Sequence, residues 1–173
     1  AYSAIRSTPL VSDVSIIFGT EEGEIYCKDL TAGKTVWQAQ AKRSVISSPT
    51  MADDIVVVGS LDATVYAFDA SSGWLIWRFR TQRPIVSSPV VYQGIVYIGS
   101  ADGKLYAIDI GTGRAIWTYH AGGQIASSPV VWDDAVYFGS TDGTVYGLSV
   151  QRGDLVWRFD TGSLVIATPI IRE

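Results

Sequence analysis

Three sets of residues in this 173-residue sequence have types and spacings that invite chemistry. The serine pairs Ser47-Ser48, Ser87-Ser88 and Ser127-Ser128 are candidate nucleophiles. Such a serine needs a base within hydrogen-bond reach. The sole histidine, His120, stands where the equivalent segments have Gln40, Arg80 and Asp160, and is read as an exposed strand-end residue. The serines are read as small hydroxyls that start an innermost strand, where backbone groups need partners. The second set is acidic: Glu21-Glu22, Asp53-Asp54, Asp62, Asp102, Asp133-Asp134 and Asp142. Calcium requires several oxygens converging within one loop, and each of these short turns offers only one or two carboxylates, the usual chemistry of a tight turn. Asp29, Asp69 and Asp109 are expected to cap the turn after a third strand, with Ser149 in the same place in the fourth copy. The third set is basic. Lys42 and Arg43 lie in one connecting loop and Arg80 and Arg83 in the next, where later copies have Gly122-Gly123-Gln124 and Asp160. They form either a basic patch for an anion or a partner or an ordinary solvated loop. Trp74 occupies a position held elsewhere by Lys34, Arg114 and Asp154, so it is expected to be exposed, as an interface residue or a chance surface aromatic.

The elements that must position these residues recur at a fixed step. Pro9, Pro49, Pro89, Pro129 and Pro169 fall 40 residues apart. Gly19, Tyr26, Gly33 and Trp37 return at the same interval through Gly139, Tyr146, Gly153 and Trp157. A constant period in this range marks a solenoid, a propeller or an array. The repeats run over about 7–46, 47–86, 87–126 and 127–166, with the start of a fifth at 167–173, so 1–173 is expected to be one domain.

The third repeat shows the pattern. Ser88 to Tyr92 reads as a strand whose proline sits at its start, and Gln93-Gly94 as a two-residue turn. Ile95 to Ser100 is an apolar strand covered on both faces, Ala101-Asp102-Gly103 a hairpin turn, Lys104 to Asp109 a third strand and Arg114 to His120 a fourth. Four antiparallel strands per repeat make a propeller blade. The fold class is therefore all-β. A WD-repeat array would show Gly-His and Trp-Asp in every unit, whereas only Trp132-Asp133 is present.

The stretch from Ala67 through Gly73 to Trp77 resembles the tryptophan-docking motif of the pyrroloquinoline-quinone-type β-propellers. Ala107, Gly113 and Trp117 repeat it, as do Cys27, Gly33 and Trp37, and Gly147, Gly153 and Trp157. The small first residue is read as leaving room for the indole, and the glycine as a tight turn or a close approach. The resemblance implies an indole N–H bonded to a backbone carbonyl of the same turn, and a structural role for these residues. It also implies a seven- or eight-bladed ring. A four-bladed ring would turn about 90° per blade, roughly twice as much, so four blades and one strand of a fifth are expected to form an open arc.

In the family's dehydrogenases the quinone is held by adjacent cysteines, with calcium on acidic and amide side chains. This sequence has one cysteine and no asparagine, so no catalytic, metal or cofactor residues are assigned and no cofactor is expected. The non-enzymatic branch, which includes the propeller lipoproteins of outer-membrane assembly, is the better match. It implies a binding scaffold that holds a protein partner at loops on one face, in the periplasm or cell envelope. The alternative is a segment of a quinone-dependent dehydrogenase whose site lies in other blades. The two end faces are expected to self-associate or to be covered by the rest of a longer chain. A chain opening at Ala1 without a signal-peptide pattern reads as processed or excised. A net charge of −4 argues against nucleic acid as partner. No apolar run approaches the roughly 18 residues that would span a bilayer.

Overall fold

The structure, a computed structural model, describes residues 3–172. Its strands are β1 Leu10–Val11, β2 Ser15–Gly19, β3 Glu24–Asp29, β4 Thr35–Gln40, β5 Thr50–Ala52, β6 Ile55–Ser60, β7 Thr64–Asp69, β8 Leu75–Arg80, β9 Val90–Tyr92, β10 Ile95–Gly99, β11 Lys104–Asp109, β12 Ala115–His120, β13 Val130–Trp132, β14 Ala135–Gly139, β15 Thr144–Ser149 and β16 Leu155–Asp160. Each group of four forms its own antiparallel sheet in sequence order. The protein is all-β, four blades in an open arc.

Local chemistry accounts for the strand ends. The innermost hairpins turn at Asp53-Asp54, Gln93-Gly94 and Asp133-Asp134, each pair with both φ values between 47° and 75°. Such paired left-handed residues make the mirror-image turn whose twist matches that of the flanking strands. The two outer strands of every blade carry a bulge, at Cys27/Lys28, Ala67/Phe68, Ala107/Ile108 and Gly147/Leu148. It follows immediately on the pairings Cys27↔Trp37, Ala67↔Trp77, Ala107↔Trp117 and Gly147↔Trp157. The unpaired extra residues Val36, Ile76, Ile116 and Val156 are each exposed over roughly half of their surface. A bulge re-aims the side chain beside it, and here that side chain is the tryptophan.

Successive residues of a strand point to opposite faces, so each middle strand serves two interfaces. Val56 and Val58 pack with Ile17, Ile25 and Trp37 of the first blade, while Val57 packs with Val96, Ile98 and Tyr106 of the third. A further core joins Tyr97 and Leu105 to Val136, Phe138 and Leu148. Three inter-blade cores join four blades among the described residues, and the first and last blades share none. Residues 161–172 follow the path that earlier repeats give to their innermost strand, with Val165 N–H donating to Ser140 O at 3.0 Å, but form no strand, since no neighbouring strand supplies a ladder.

Antiparallel order also fixes which loops share a rim. The β6–β7 turn and the β8-to-β9 connection lie at one end of their blade, and the β5–β6 and β7–β8 turns at the other.

Candidate functional site

The tryptophans reach forward. Nε1 of Trp37 donates to Ala70 O at 2.8 Å, Trp77 to Ile110 O at 2.6 Å and Trp117 to Val150 O at 2.9 Å. The acceptor therefore belongs to the next blade, not to the indole's own turn as the motif had implied. The motif glycine works in the same direction. A Cβ on Gly73 would lie 2.6 Å from Trp37, one on Gly113 2.6 Å from Trp77 and one on Gly153 2.5 Å from Trp117. Each indole spans a blade junction, seated on the following repeat's glycine with its N–H satisfied there. The small cross-strand partners Cys27, Ala67 and Ala107 are buried, and burial pushes the Cys27 thiol pKa up, as expected of an inert packing residue.

The serines are structural. Ser47 Oγ donates to Gly59 O at 2.9 Å and accepts from Gly59 N–H at 2.8 Å, and Ser127 does the same with Gly139 at 2.9 and 2.7 Å. Ser87 Oγ accepts from Gly99 N–H at 3.2 Å. The second serines form a ladder around the inner wall: Thr8 N–H donates to Ser48 Oγ, Ser48 N–H to Ser88 Oγ, Ser88 N–H to Ser128 Oγ and Ser128 N–H to Thr168 Oγ1, at 2.8–3.2 Å. His120 is exposed at the end of β12.

The acidic turns are ties between blades. Asp62 Oδ2 accepts from Tyr66 Oη at 2.7 Å and from Lys42 N–H at 3.0 Å. Asp102 accepts in the same way from Tyr106 and Gln82 N–H, and Asp142 from Tyr146 and Gly122 N–H. Burial and then the aspartate hydrogen bond raise the Tyr66, Tyr106 and Tyr146 phenols above their usual range. Asp69 accepts from the hydroxyls of Ser72 and Ser71 and from both backbone N–H groups, which hold its carboxyl down to about 2. Asp29 and Asp109 cap their turns likewise. Ser149 differs from expectation: its turn closes through the backbone, Gly153 N–H to Ser149 O at 2.8 Å, and no capping bond from its hydroxyl is present among the described residues.

The basic residues do converge. Lys42, Arg43, Arg80 and Arg83 line one groove of about 660 Å³ on the rim shared by the first and second blades, with Asp62, Tyr66, Gln82 and Pro84. Arg78 joins them. It escaped the reading of the loops because it lies within β8, yet it stands two residues before Arg80 and so on the same face. All five cationic side chains are exposed, and none forms an ion pair with a described carboxylate. Trp74 is 79% exposed but lies at the opposite end of β8, about 20 Å from Arg80 at strand rise. It does not belong to the groove.

Sheets of four strands, stacked through indoles that dock on the next blade, define a β-propeller of the tryptophan-docking class. A family model described as outer membrane protein assembly factor BamB matches residues 3–86 and 21–170, and the chain belongs to this family. No curated protein matches the sequence. Among solved structures, BamB from Moraxella catarrhalis superposes with a TM-score of 0.86 at 24% identity, over 97% of this chain and 56% of that one. The computationally designed Ika8 protein gives 0.85 at 20% identity, over 95% of this chain and 52% of its own. The designed Ika4 protein gives 0.79 at 25% identity, over 87% of this chain and 93% of its own. This chain thus spans about half the length of the first two. Among the described residues no helix is long and apolar enough to cross a membrane.

Proposed function

We propose that this chain is a non-catalytic protein-binding scaffold of the cell envelope that holds an acidic segment of its partner in the basic groove. The observation that carries the proposal is the convergence of Lys42, Arg43, Arg78, Arg80 and Arg83 around one cleft on a molecule of net charge −4. Unpaired guanidinium groups present forked donors that match carboxylates two at a time, and a local field of one sign draws an acidic segment in from solution. The family's role in outer-membrane assembly supports a protein as the ligand and the envelope as the compartment.

Fluorescence anisotropy with a labelled oligo-glutamate peptide tests this. Binding should weaken as salt rises, and the double variant Arg80→Ser, Arg83→Ser should bind at least about tenfold less well, the equivalent of ~1.4 kcal/mol. Arg114→Ser, in a different blade and outside the groove, should bind as the parent does. Equal affinity in the parent and the double variant would refute the assignment. The dehydrogenase reading puts its quinone site in other blades and is checked on flanking sequence, where it expects adjacent cysteines and acidic calcium ligands.

A further inference from the structure

The outermost strand of a blade is a sheet edge, and the edge of the second blade differs chemically from the other three. Among the described residues β8 pairs with β7 alone. Thr81 N–H donates to Ala63 O at 2.9 Å, and this bond sets the phase of the β7–β8 ladder. Opposed residues of antiparallel strands alternate between pairs that exchange hydrogen bonds and pairs that do not. Val65↔Phe79 and Ala67↔Trp77 are therefore bonded, whereas Arg78 and Arg80, opposite Tyr66 and Thr64, turn their N–H and C=O groups away from β7 to the open side. Side chains alternate along the same stretch. Trp77 and Phe79 pack toward the third blade, while Arg78 and Arg80 line the basic groove. The two residues that offer backbone groups at the edge are thus the two that bring cations to the groove. At the equivalent positions the first blade has Gln38 and Gln40, whose amides turn back to Glu24 Oε1 and Glu22 O at 3.1 and 3.0 Å. The third has Thr118 and His120, and the fourth Arg158 and Asp160, of opposite sign.

We propose that the acidic segment of the partner protein binds as a fifth, antiparallel strand on β8, with acidic residues two apart set opposite Arg78 and Arg80. The proposal rests on the reading of the groove as a seat for such a segment and adds its conformation and sequence pattern. In a bonded antiparallel pair the Cα atoms lie about 5.5 Å apart with both side chains on one face. A residue opposite each arginine therefore brings its carboxylate to the guanidinium while its own N–H and C=O complete the edge. Lys42, Arg43 and Arg83 widen the field on that same face. The residue between the two acids falls on the other face, beside Phe79, where strand propensity counts and charge does not. The class recognised is an extended segment reading acidic, uncharged, acidic. Main-chain bonds give it affinity, and alternate side chains give it specificity.

Fluorescence anisotropy with labelled hexapeptides tests the proposal. An alternating Glu-Thr peptide and a block peptide of three glutamates followed by three threonines have the same composition and charge. The alternating one should bind at least about fivefold more tightly, because it alone places a carboxylate opposite both arginines in strand register. N-methylation of its glutamates removes the N–H groups that face β8 and should weaken binding at least about tenfold. N-methylation of its threonines, whose N–H groups point outward, should leave affinity within about twofold. Alternating and block peptides that bind equally, both weakened by Arg80→Ser with Arg83→Ser, would overturn strand addition and leave the groove reading standing. Binding of neither peptide to the parent would sink both readings. A glutamate-methylated peptide that binds no worse than the threonine-methylated one would also overturn strand addition.

Discussion

Gly113→Ala and Gly33→Ala form a matched pair that isolates the docking contact from backbone strain. Both positions hold a left-handed backbone, φ +69° and +65°, so an added Cβ meets the same conformational penalty, about 1–2 kcal/mol. Only their surroundings differ. At Gly113 the new atom would lie 2.6 Å from Cγ and Cδ2 of Trp77, an indole 9% exposed and tethered through Nε1 to Ile110 O. At Gly33 it would meet no atom of the described residues within 4 Å. Overpacking of this kind adds about 1–3 kcal/mol, and the displaced indole also strains its hydrogen bond. Gly113→Ala should therefore destabilise by ~1–3 kcal/mol more than Gly33→Ala. Urea unfolding followed by tryptophan fluorescence measures the difference as a shift in midpoint at constant slope. Equal losses, or a larger loss at Gly33, would refute the view that the motif glycine exists to seat the preceding blade's indole.

Other expectations follow from the same geometry. Trp77→Ala should cost about 3–5 kcal/mol by urea unfolding, whereas Trp157→Ala, half exposed and without an acceptor among the described residues, should cost under ~1 kcal/mol. Ser47→Ala strands the buried N–H and carbonyl of Gly59 and should lose ~1–3 kcal/mol. Tyr97 is fully buried and donates from Oη to Val150 O at 2.9 Å, and burial pushes its pKa up to about 12. Since the folded value lies above the unfolded one near 10, the neutral phenol stabilises the fold below pH 10, and that stability is lost as pH rises through 12. Tyr97→Phe should flatten the stability profile between those limits, and an unchanged alkaline slope would count against it. At Asp69 the sign reverses. Its carboxyl is held down, first by the Ser72 hydroxyl, to about 2, so its stabilisation is present above the unfolded pKa near 3.9 and declines as pH falls toward 2. Asp69→Asn should remove that part of the acid limb in a pH series of thermal midpoints.

The blade was legible because its signals are local: an Asp-Asp or Gln-Gly pair fixes each inner hairpin, and the spacing of small residue, glycine and tryptophan fixes the outer two strands. What the sequence concealed is relational. Nothing in the run from Ala67 to Trp77 says that the indole's acceptor lies 33 residues further on in another sheet, because adjacency between blades comes from stacking and not from chain proximity. Arg78 was passed over for a similar reason, its membership of the groove arising from strand alternation beside Arg80. Trp74 and Arg83 are near neighbours in sequence yet sit on opposite rims, since one antiparallel strand intervenes. The cap expected of Ser149 is not made among the described residues, where its turn closes through the backbone, Gly153 N–H to Ser149 O.

The bonds that join blades run between adjacent repeats, among them indole to the next carbonyl and amide to the next hydroxyl. Removing or inserting one whole unit therefore leaves each surviving blade with a neighbour of the right kind, whereas gaining or losing part of a unit breaks every bond across that seam. A gene for such a protein can grow or shrink by unequal recombination between its own copies without passing through an unfoldable intermediate. Selection then acts on rim loops such as the arginine-bearing one, free to diverge in any single copy while the joinery stays common to all.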